Sequence, residues 1–423
     1  MSTETIVILG ASFAGLGAAH YALRHVLPQL PKKDGVTYDV TLVNPSKDLF
    51  WRLAMPRVAA STKLLPLDKC FIPIEPAFAY AKGRFNFVQG TATSIDAEGR
   101  KVTVQTATEE KTISFISLVI ATGVSTPSPL FTLTSDRAAL EAELDTFHKA
   151  LGKATSVVIG GAGPVGVETA GEIAEFLNGK PGFLASAPKN PKVKVTLICA
   201  ESKMLPVLRE SISKKAEKLL KNLGATVRYD TKVVSASTPS EGAKTAVQLS
   251  NGETLETDIY IDATGTRPNT SFVPGAWLDT RGKVSCNPKT LRVEAAGVPR
   301  IYVAGDAGSY TRGGAMDLQI ALPVAMTNLK TDLIAHVSGK PPGPDRHYAA
   351  DPKESQVVPI GTSKGVGAFG GNQLPSLMVW GIKGRDYMLG MLAQPTLNGD
   401  AYKKEGKWKP QPVVNNGVGL SSS

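Results

Sequence analysis

Two glycine-rich turns carry the clearest chemistry in this 423-residue sequence. Gly10-Ala11-Ser12-Phe13-Ala14-Gly15 follows the apolar run Thr5–Leu9 and opens a small-residue helical pattern, LGAAHYALRHVL. Gly161-Ala-Gly163-Pro-Val-Gly166 follows Ser156–Ile159 and opens a second one, VETAGEIAEFL. A strand that turns sharply into a helix aims free backbone N–H groups and the positive end of the helix dipole at a pyrophosphate. Glycine is needed where that backbone turns tightly or touches the ligand. The second turn has all three glycines, whereas Ser12 replaces the middle glycine of the first. Two turns of this kind predict two bound dinucleotides.

Other residues gain meaning from their place relative to these turns. Asn44 ends the strand Tyr38–Val43, where an acid commonly holds the adenosine ribose; it can bond a hydroxyl only as a neutral group. Cys199 stands at the corresponding place after the second turn, with Glu201 two residues on and Lys203 close by, which leaves NADH and NADPH both open. Glu168 lies two residues past Gly166. A carboxylate there either gains from the helix dipole as a cap or orients a nicotinamide amide where the two dinucleotides meet. Gly305-Asp306 ends the strand Arg300–Ala304 and places an acid where sugar or ribityl hydroxyls can donate to it. A helix is predicted from Leu322 or Pro323 to His336. Pro323 at its first position would leave N–H groups free to stabilise an anionic reduced flavin.

These residues need a framework, and the chain supplies it twice. Strand, helix and strand recur about 150 residues apart, each time with a polar insertion before the second strand, which gives a parallel sheet with right-handed crossovers. Ser117–Ile120 runs into Ala121-Thr122-Gly123, and Asp258–Ile261 runs into Asp262-Ala-Thr-Gly265. Arg84–Ala92 and Lys101–Thr106 read as strands around a turn, and Pro341–Pro344 reads as a linker before a third unit of short strands and Gly-rich turns. The predicted fold class is α/β: two Rossmann-like dinucleotide-binding domains, the second inserted in the first, plus a small C-terminal α+β domain. The expected boundaries are residues 1–140 with 271–340 for the first domain, 141–270 for the second and 345–423 for the third.

Composition narrows the classes. Lys+Arg 47 against Asp+Glu 37 gives a formal charge of +10, which suits anionic partners without choosing among them; nucleic-acid binding on charge alone is disfavoured. No run approaches the roughly 20 apolar residues of a membrane-spanning helix. The opening MSTETIVILG leaves no room for a signal or transit peptide, and Ser2 stands where myristoylation requires glycine. A cytoplasmic location is expected, with peripheral membrane contact and mitochondrial association left open. Cys70, Cys199 and Cys286 are too scattered for a dithiol motif or thiolate metal site, and the five histidines show no metal spacing. Lys403, Lys404, Lys407 and Lys409 with Trp408 form a basic tail whose default role is a solvated one.

Taken in order, GASFAG, ATG, GGAGPVGVE, DATGTRPN and VAGDAGS resemble the two-dinucleotide-binding flavoprotein superfamily. The details are most similar to its apoptosis-inducing-factor-like (AMID, ferroptosis-suppressor-like) branch. LFWRLAMPR resembles that branch's helix after the second strand, and VVPIGTSKGVGAFGG and VWGIKGRDYML resemble its closing domain. The resemblance implies FAD on the first fold, held by Gly10, Ala11, Ser12, Phe13, Ala14, Gly15, Asn44, Arg57, Ala92, Ala121, Gly123, Gly305, Asp306 and Pro323. It implies NADH or NADPH on the second, held by Gly161, Gly163 and Gly166, with Glu168 as the catalytic group at the flavin. The implied activity is an FAD-dependent NAD(P)H oxidoreductase that passes hydride from nicotinamide to flavin and then electrons to a quinone-like acceptor. A redox-signalling flavoprotein with little turnover and a flavin oxidase of a secondary metabolite are the alternatives. The oligomeric state is not legible.

Overall fold

The computed structural model describes residues 2–132, 136–182, 186–240, 242–311 and 313–410. Its first sheet is parallel, in the order Ile301–Val303, Ser117–Ile120, Ser2–Leu9, Val36–Asn44, Phe85–Gln89. Ile6, Val7, Ile8 and Leu9 are all buried, as a strand covered on both faces must be. The helices are α1 (Phe13–Tyr21), α2 (Met55–Ala60), α3 (Arg137–Leu151), α4 (Pro164–Asn178), α5 (Glu210–Asn222) and α6 (Ala315–Ser338), besides shorter helical turns.

The second sheet is also parallel, in the order Ala225–Arg228, Lys194–Ile198, Ser156–Gly160, Ile259–Asp262. All four strands fall in sequence between Ser117–Ile120 and Ile301–Val303, which are neighbours in the first sheet. The second fold is thus inserted in the first. One apolar core runs from Ile8 through Ile159 to Val358 and Tyr387 of the C-terminal unit.

Three local expectations change. Arg84–Ala92 is two strands. The Gly90 N–H turns to the Asn44 carbonyl at 3.0 Å, so Phe85–Gln89 joins the parallel sheet and Thr91–Asp96 starts an antiparallel one. Pro323 is not a first helical residue but lies inside α6, which starts at Ala315. Gly313 and Gly314, at φ of +101° and +117°, set that earlier start, and the buried Leu318, Ala321 and Leu322 hold the turns before the proline. The C-terminal unit begins with antiparallel strands Gln356–Ile360, Lys364–Phe369 and Asn372–Gln373, but from Ser376 to Tyr402 it consists of helical turns. Among the described residues no helix is long and apolar enough to cross a membrane.

Candidate active site at the joint of the two dinucleotide folds

The two glycine turns are built alike to the level of single hydrogen bonds. Gly10 and Gly161 both have φ of +97°. The Gly10 N–H donates to the Val43 carbonyl at 2.8 Å, and the Gly161 N–H to that of Ile198 at 2.9 Å. A Cβ on Gly10 would press on the Ala121 carbonyl oxygen at 2.5 Å, and one on Gly161 would overlap that of Ala263. A Cβ on Gly15 would overlap the Gly10 carbonyl oxygen, just as one on Gly166 would overlap that of Gly161. Each turn is therefore closed by its own Ala-Thr-Gly loop. Neither α1 nor α4 has a side-chain cap at its amino end, where Ser12 and Gly163 stand. Uncapped N–H groups behind a glycine cradle fit a pyrophosphate at both turns.

Asn44 has a task in the protein itself. Its Oδ1 accepts from the Ala11 N–H at 2.9 Å, and its Nδ2 donates to the Ser46 carbonyl at 2.7 Å. An aspartate could make the first contact but not the second. Ala92 lies near the same end of the sheet, beside an irregularity in the pairing between Ala92 and Ser94. At the other end of the cradle, the Asp306 Oδ1 accepts from the Gly314 N–H at 3.0 Å, and Gly305 packs where a Cβ would stand 3.0 Å from Ala14. Arg52 and Lys283 place positive charge near Asp306, with Arg52 bonded to the Val124 carbonyl at 2.7 Å. Gly123 adopts φ of +63°, and the Asn269 side chain clamps its loop by donating to the Thr122 carbonyl at 2.9 Å and accepting from Ser125 at 2.6 Å.

The joint between the folds is a buried ionic cluster. Glu168 lies on the second turn of α4, and its partner is Lys383, whose Nζ donates to its carboxylate. The two side chains are buried, Glu168 almost completely. Burial pushes the Glu168 carboxyl up to about 7, although the Lys383 ammonium pulls the other way. A capping role is thereby displaced.

One turn along α4, Glu172 accepts from Arg57 through Nε at 3.1 Å and Nη2 at 2.7 Å. The Arg57 guanidinium stands 4.9 Å from the centre of the Tyr387 ring, and the Tyr387 hydroxyl donates to Glu172 at 3.0 Å. Arg57 Nη1 also donates to the Arg385 carbonyl at 3.0 Å. Its charged end is thus committed between α2, α4 and the C-terminal unit. Tyr387 and Met388 hold φ of +55° and +63°, so their backbone is strained where the three parts meet.

Lys383, Tyr387, Glu172, Arg52 and Asn269 were not singled out from sequence. Glu168, Glu172 and Glu175 are four and three residues apart, the spacing of one helix face, and that was the available signal for Glu172. Nothing in sequence pairs α4 with a lysine 215 residues away. The three cysteines are free, and burial raises the Cys70 thiol to about 12 and lifts those of Cys199 and Cys286.

Duplicated cradles on an inserted pair of parallel sheets are shared with known proteins. The pyridine nucleotide-disulphide oxidoreductase family matches residues 4–324. The chain belongs to this family. It is an FAD-dependent oxidoreductase with FAD and NAD(P)H as cofactors. The oxidoreductase phnG of Penicillium herquei is 44% identical over 397 residues, covering 92% of this chain and 94% of that one. Ferroptosis suppressor protein 1 of Xenopus tropicalis is 25% identical over 395 residues, covering 90% and 92%. The sulfide:quinone oxidoreductase of Aquifex aeolicus shares the fold, with a TM-score of 0.69 at 15% identity over 94% of this chain and 92% of that one.

Proposed function

We propose that this oxidoreductase carries electrons from NADH or NADPH through FAD to a quinone or a similar small carbonyl acceptor. The observation that carries the reading is the buried Glu168–Lys383 pair, on the helix that the second of two equivalent dinucleotide cradles opens. When bound, FAD supplies the two-electron chemistry that links a nicotinamide to such an acceptor. Gly10, Ser12 and Gly15 with Ala121 and Gly123 would hold its pyrophosphate side, Asn44 and Ala92 its adenosine end, and Asp306 its ribityl hydroxyls. Gly161, Gly163 and Gly166 would hold the pyridine nucleotide.

The chain's own part is to align, to exclude water and to handle protons. Reducing a carbonyl acceptor requires a proton at each oxygen. Glu168 and Lys383 form the buried pair able to hold one and pass it on, with a carboxyl whose proton is exchangeable near neutrality. The three thiols are held protonated by burial, which favours electrons leaving the flavin directly over a dithiol relay. Similarity to ferroptosis suppressor protein 1 along nearly the whole chain supports placement in the apoptosis-inducing-factor-like branch. Exposed Leu377, Met378 and Met391 on the C-terminal unit suit loose contact with a membrane that stores a lipid-soluble acceptor.

Anaerobic mixing of the FAD-loaded protein with NADH and, separately, NADPH is the test. Loss of the flavin absorbance near ~450 nm, recovered on adding a quinone, is expected. A flavin that neither nucleotide bleaches ends the proposal, and one bleached but not reoxidised by quinones ends the acceptor assignment.

A further inference from the structure

A cavity lies at the opposite end of the first sheet from the dinucleotide cradles. It measures about 540 Å³, within the usual range for small-molecule sites. Val298, Pro299, Ile301 and Ala335 give it apolar walls, and Arg300, His336 and Lys340 face it. Ile301 opens its strand, so the cavity sits at the amino ends of strands whose carboxyl ends carry Gly10, Ala121 and Gly305. α6 separates the two regions, and its 24 residues span about 36 Å.

The unusual feature is a pair of arginines. Arg100 and Arg300 have φ of +52° and +69°, a backbone region that costs any residue but glycine, asparagine or aspartate. Both guanidinium groups converge on one acceptor: Arg300 Nε donates to the Ile116 carbonyl at 3.0 Å and Arg100 Nη2 to the same oxygen at 2.5 Å. Two like charges are thus held side by side while partly removed from water. Arg100 is lowered to about 10 by burial and then by Arg300.

Three acids stand near the pair, none of them bonded to Arg300: Asp332, which is engaged by Arg292 and Tyr302, acts on Arg300 through space, Glu4 reaches Arg100, Arg300 and His336 in the same way, and Glu294, which also lines the cavity, accepts from Asn287. Burial, then Arg300 and Arg100, hold the His336 imidazole below its usual value, with Lys33 adding to the effect. Among the described residues, neither Nη of Arg300, nor Lys340 Nζ, nor the His336 ring has a hydrogen-bond partner. A guanidinium fork left open over a cavity is the geometry that takes a carboxylate or phosphate in two parallel bonds.

We propose that this cavity binds a small organic anion, a carboxylate or phosphate ester on an apolar body, with Arg300 as its principal ligand and Lys340 as a second. The apolar walls accept the body, and the open fork accepts the anionic group. Binding is independent of both dinucleotides because the site lies at the far ends of the strands.

The test is calorimetric titration of the FAD-loaded protein, with saturating NAD⁺, using 1-naphthyl phosphate, 1-naphthoate and uncharged 2-naphthol. One saturable site with Kd below about 1 mM is expected for an anion, and no comparable binding of the naphthol. The tighter of the two anions identifies phosphate or carboxylate as the preferred head group. Arg300→Gly relieves the backbone at that position and removes the fork, so about tenfold weaker binding is expected with the flavin spectrum unchanged. Lys340→Gln, on an exposed side chain, is expected to weaken binding about threefold and serves if the first variant does not fold. Absence of saturable heat from both anions, naphthol binding as tight as theirs, or wild-type affinity in the variants would overturn the proposal.

Discussion

Lys383 Nζ and the Glu168 carboxylate meet across the joint between the second dinucleotide fold and the C-terminal unit, 215 residues apart in sequence and both out of water. A carboxyl raised to about 7 beside an ammonium is a group able to hold and release a proton near neutral pH.

The raised value gives the first prediction its sign. Below about 7 the Glu168 carboxyl is protonated and its charge on Lys383 is lost; above it the ion pair forms. Turnover with NADH and a soluble quinone is expected to fall as pH rises through that region, because the protonated carboxyl is the form that supplies the proton. Glu168→Gln should flatten this limb and lower turnover about 10²-fold while FAD stays bound. Steady-state rates from pH 5.5 to 9, with flavin absorbance as the control, check it.

The glycine turns give a test of which cradle holds which cofactor. Gly10→Ala forces a Cβ onto the Ala121 carbonyl and Gly161→Ala one onto that of Ala263, both at φ of +97°. Gly10→Ala is expected to purify with little flavin. Gly161→Ala should stay yellow but be reduced by NADH about 10²-fold more slowly. Flavin occupancy and stopped-flow bleaching separate the two effects.

Arg57 tests the mechanical role of the joint. Arg57→Ala leaves Glu172 buried without its partner and should cost about 3–5 kcal/mol. An apolar replacement of the whole set, Arg57→Met with Glu172→Leu and Tyr387→Phe, should recover much of that stability. Recovery of the correct angle between the folds is not expected, so its reduction by NADH should remain slow. Denaturant melts and flavin reduction rates measure the two separately.

His20 ties α1 to the C-terminal unit. Its Nε2 donates to the Leu397 carbonyl at 2.8 Å and its Nδ1 accepts from the Tyr80 hydroxyl at 2.9 Å, a neutral imidazole using both nitrogens. Burial lowers it to about 4. Its contribution to stability is complete above about 6.5 and lost as pH falls through about 4, a change of about 3 kcal/mol. The melting temperature should fall over that window, and His20→Gln should fall less steeply.

NADH is the expected donor. The Asp230 N–H bonds the Glu201 carbonyl at 3.2 Å, which brings two carboxylates beside Cys199, where the adenosine ribose is expected. Lys203 is turned away, with its Nζ on the Leu208 carbonyl at 2.5 Å. A 2′-phosphate would meet two negative charges, so kcat/KM for NADH should exceed that for NADPH by at least about tenfold. Glu201→Ser with Asp230→Ser should narrow the gap.

The sequence by itself determined the repeated strand–turn–helix units and the family, because glycine spacing and apolar runs are local signals read within a dozen residues. It also held the four-and-three spacing of Glu168, Glu172 and Glu175. It misled where a local rule met a non-local constraint. Pro323 reads as a helix start, yet buried contacts of Leu318 and Leu322 carry α6 through it.

Only the tertiary structure decided who pairs with whom. Lys383 finds Glu168, Arg57 finds Glu172, and Asn269 clamps the Thr122 loop 147 residues away in sequence. The physical reason is desolvation. A buried charge must be met by an opposite charge or a hydrogen bond, and the fold brings that partner from anywhere in the chain. Local spacing carries no record of it.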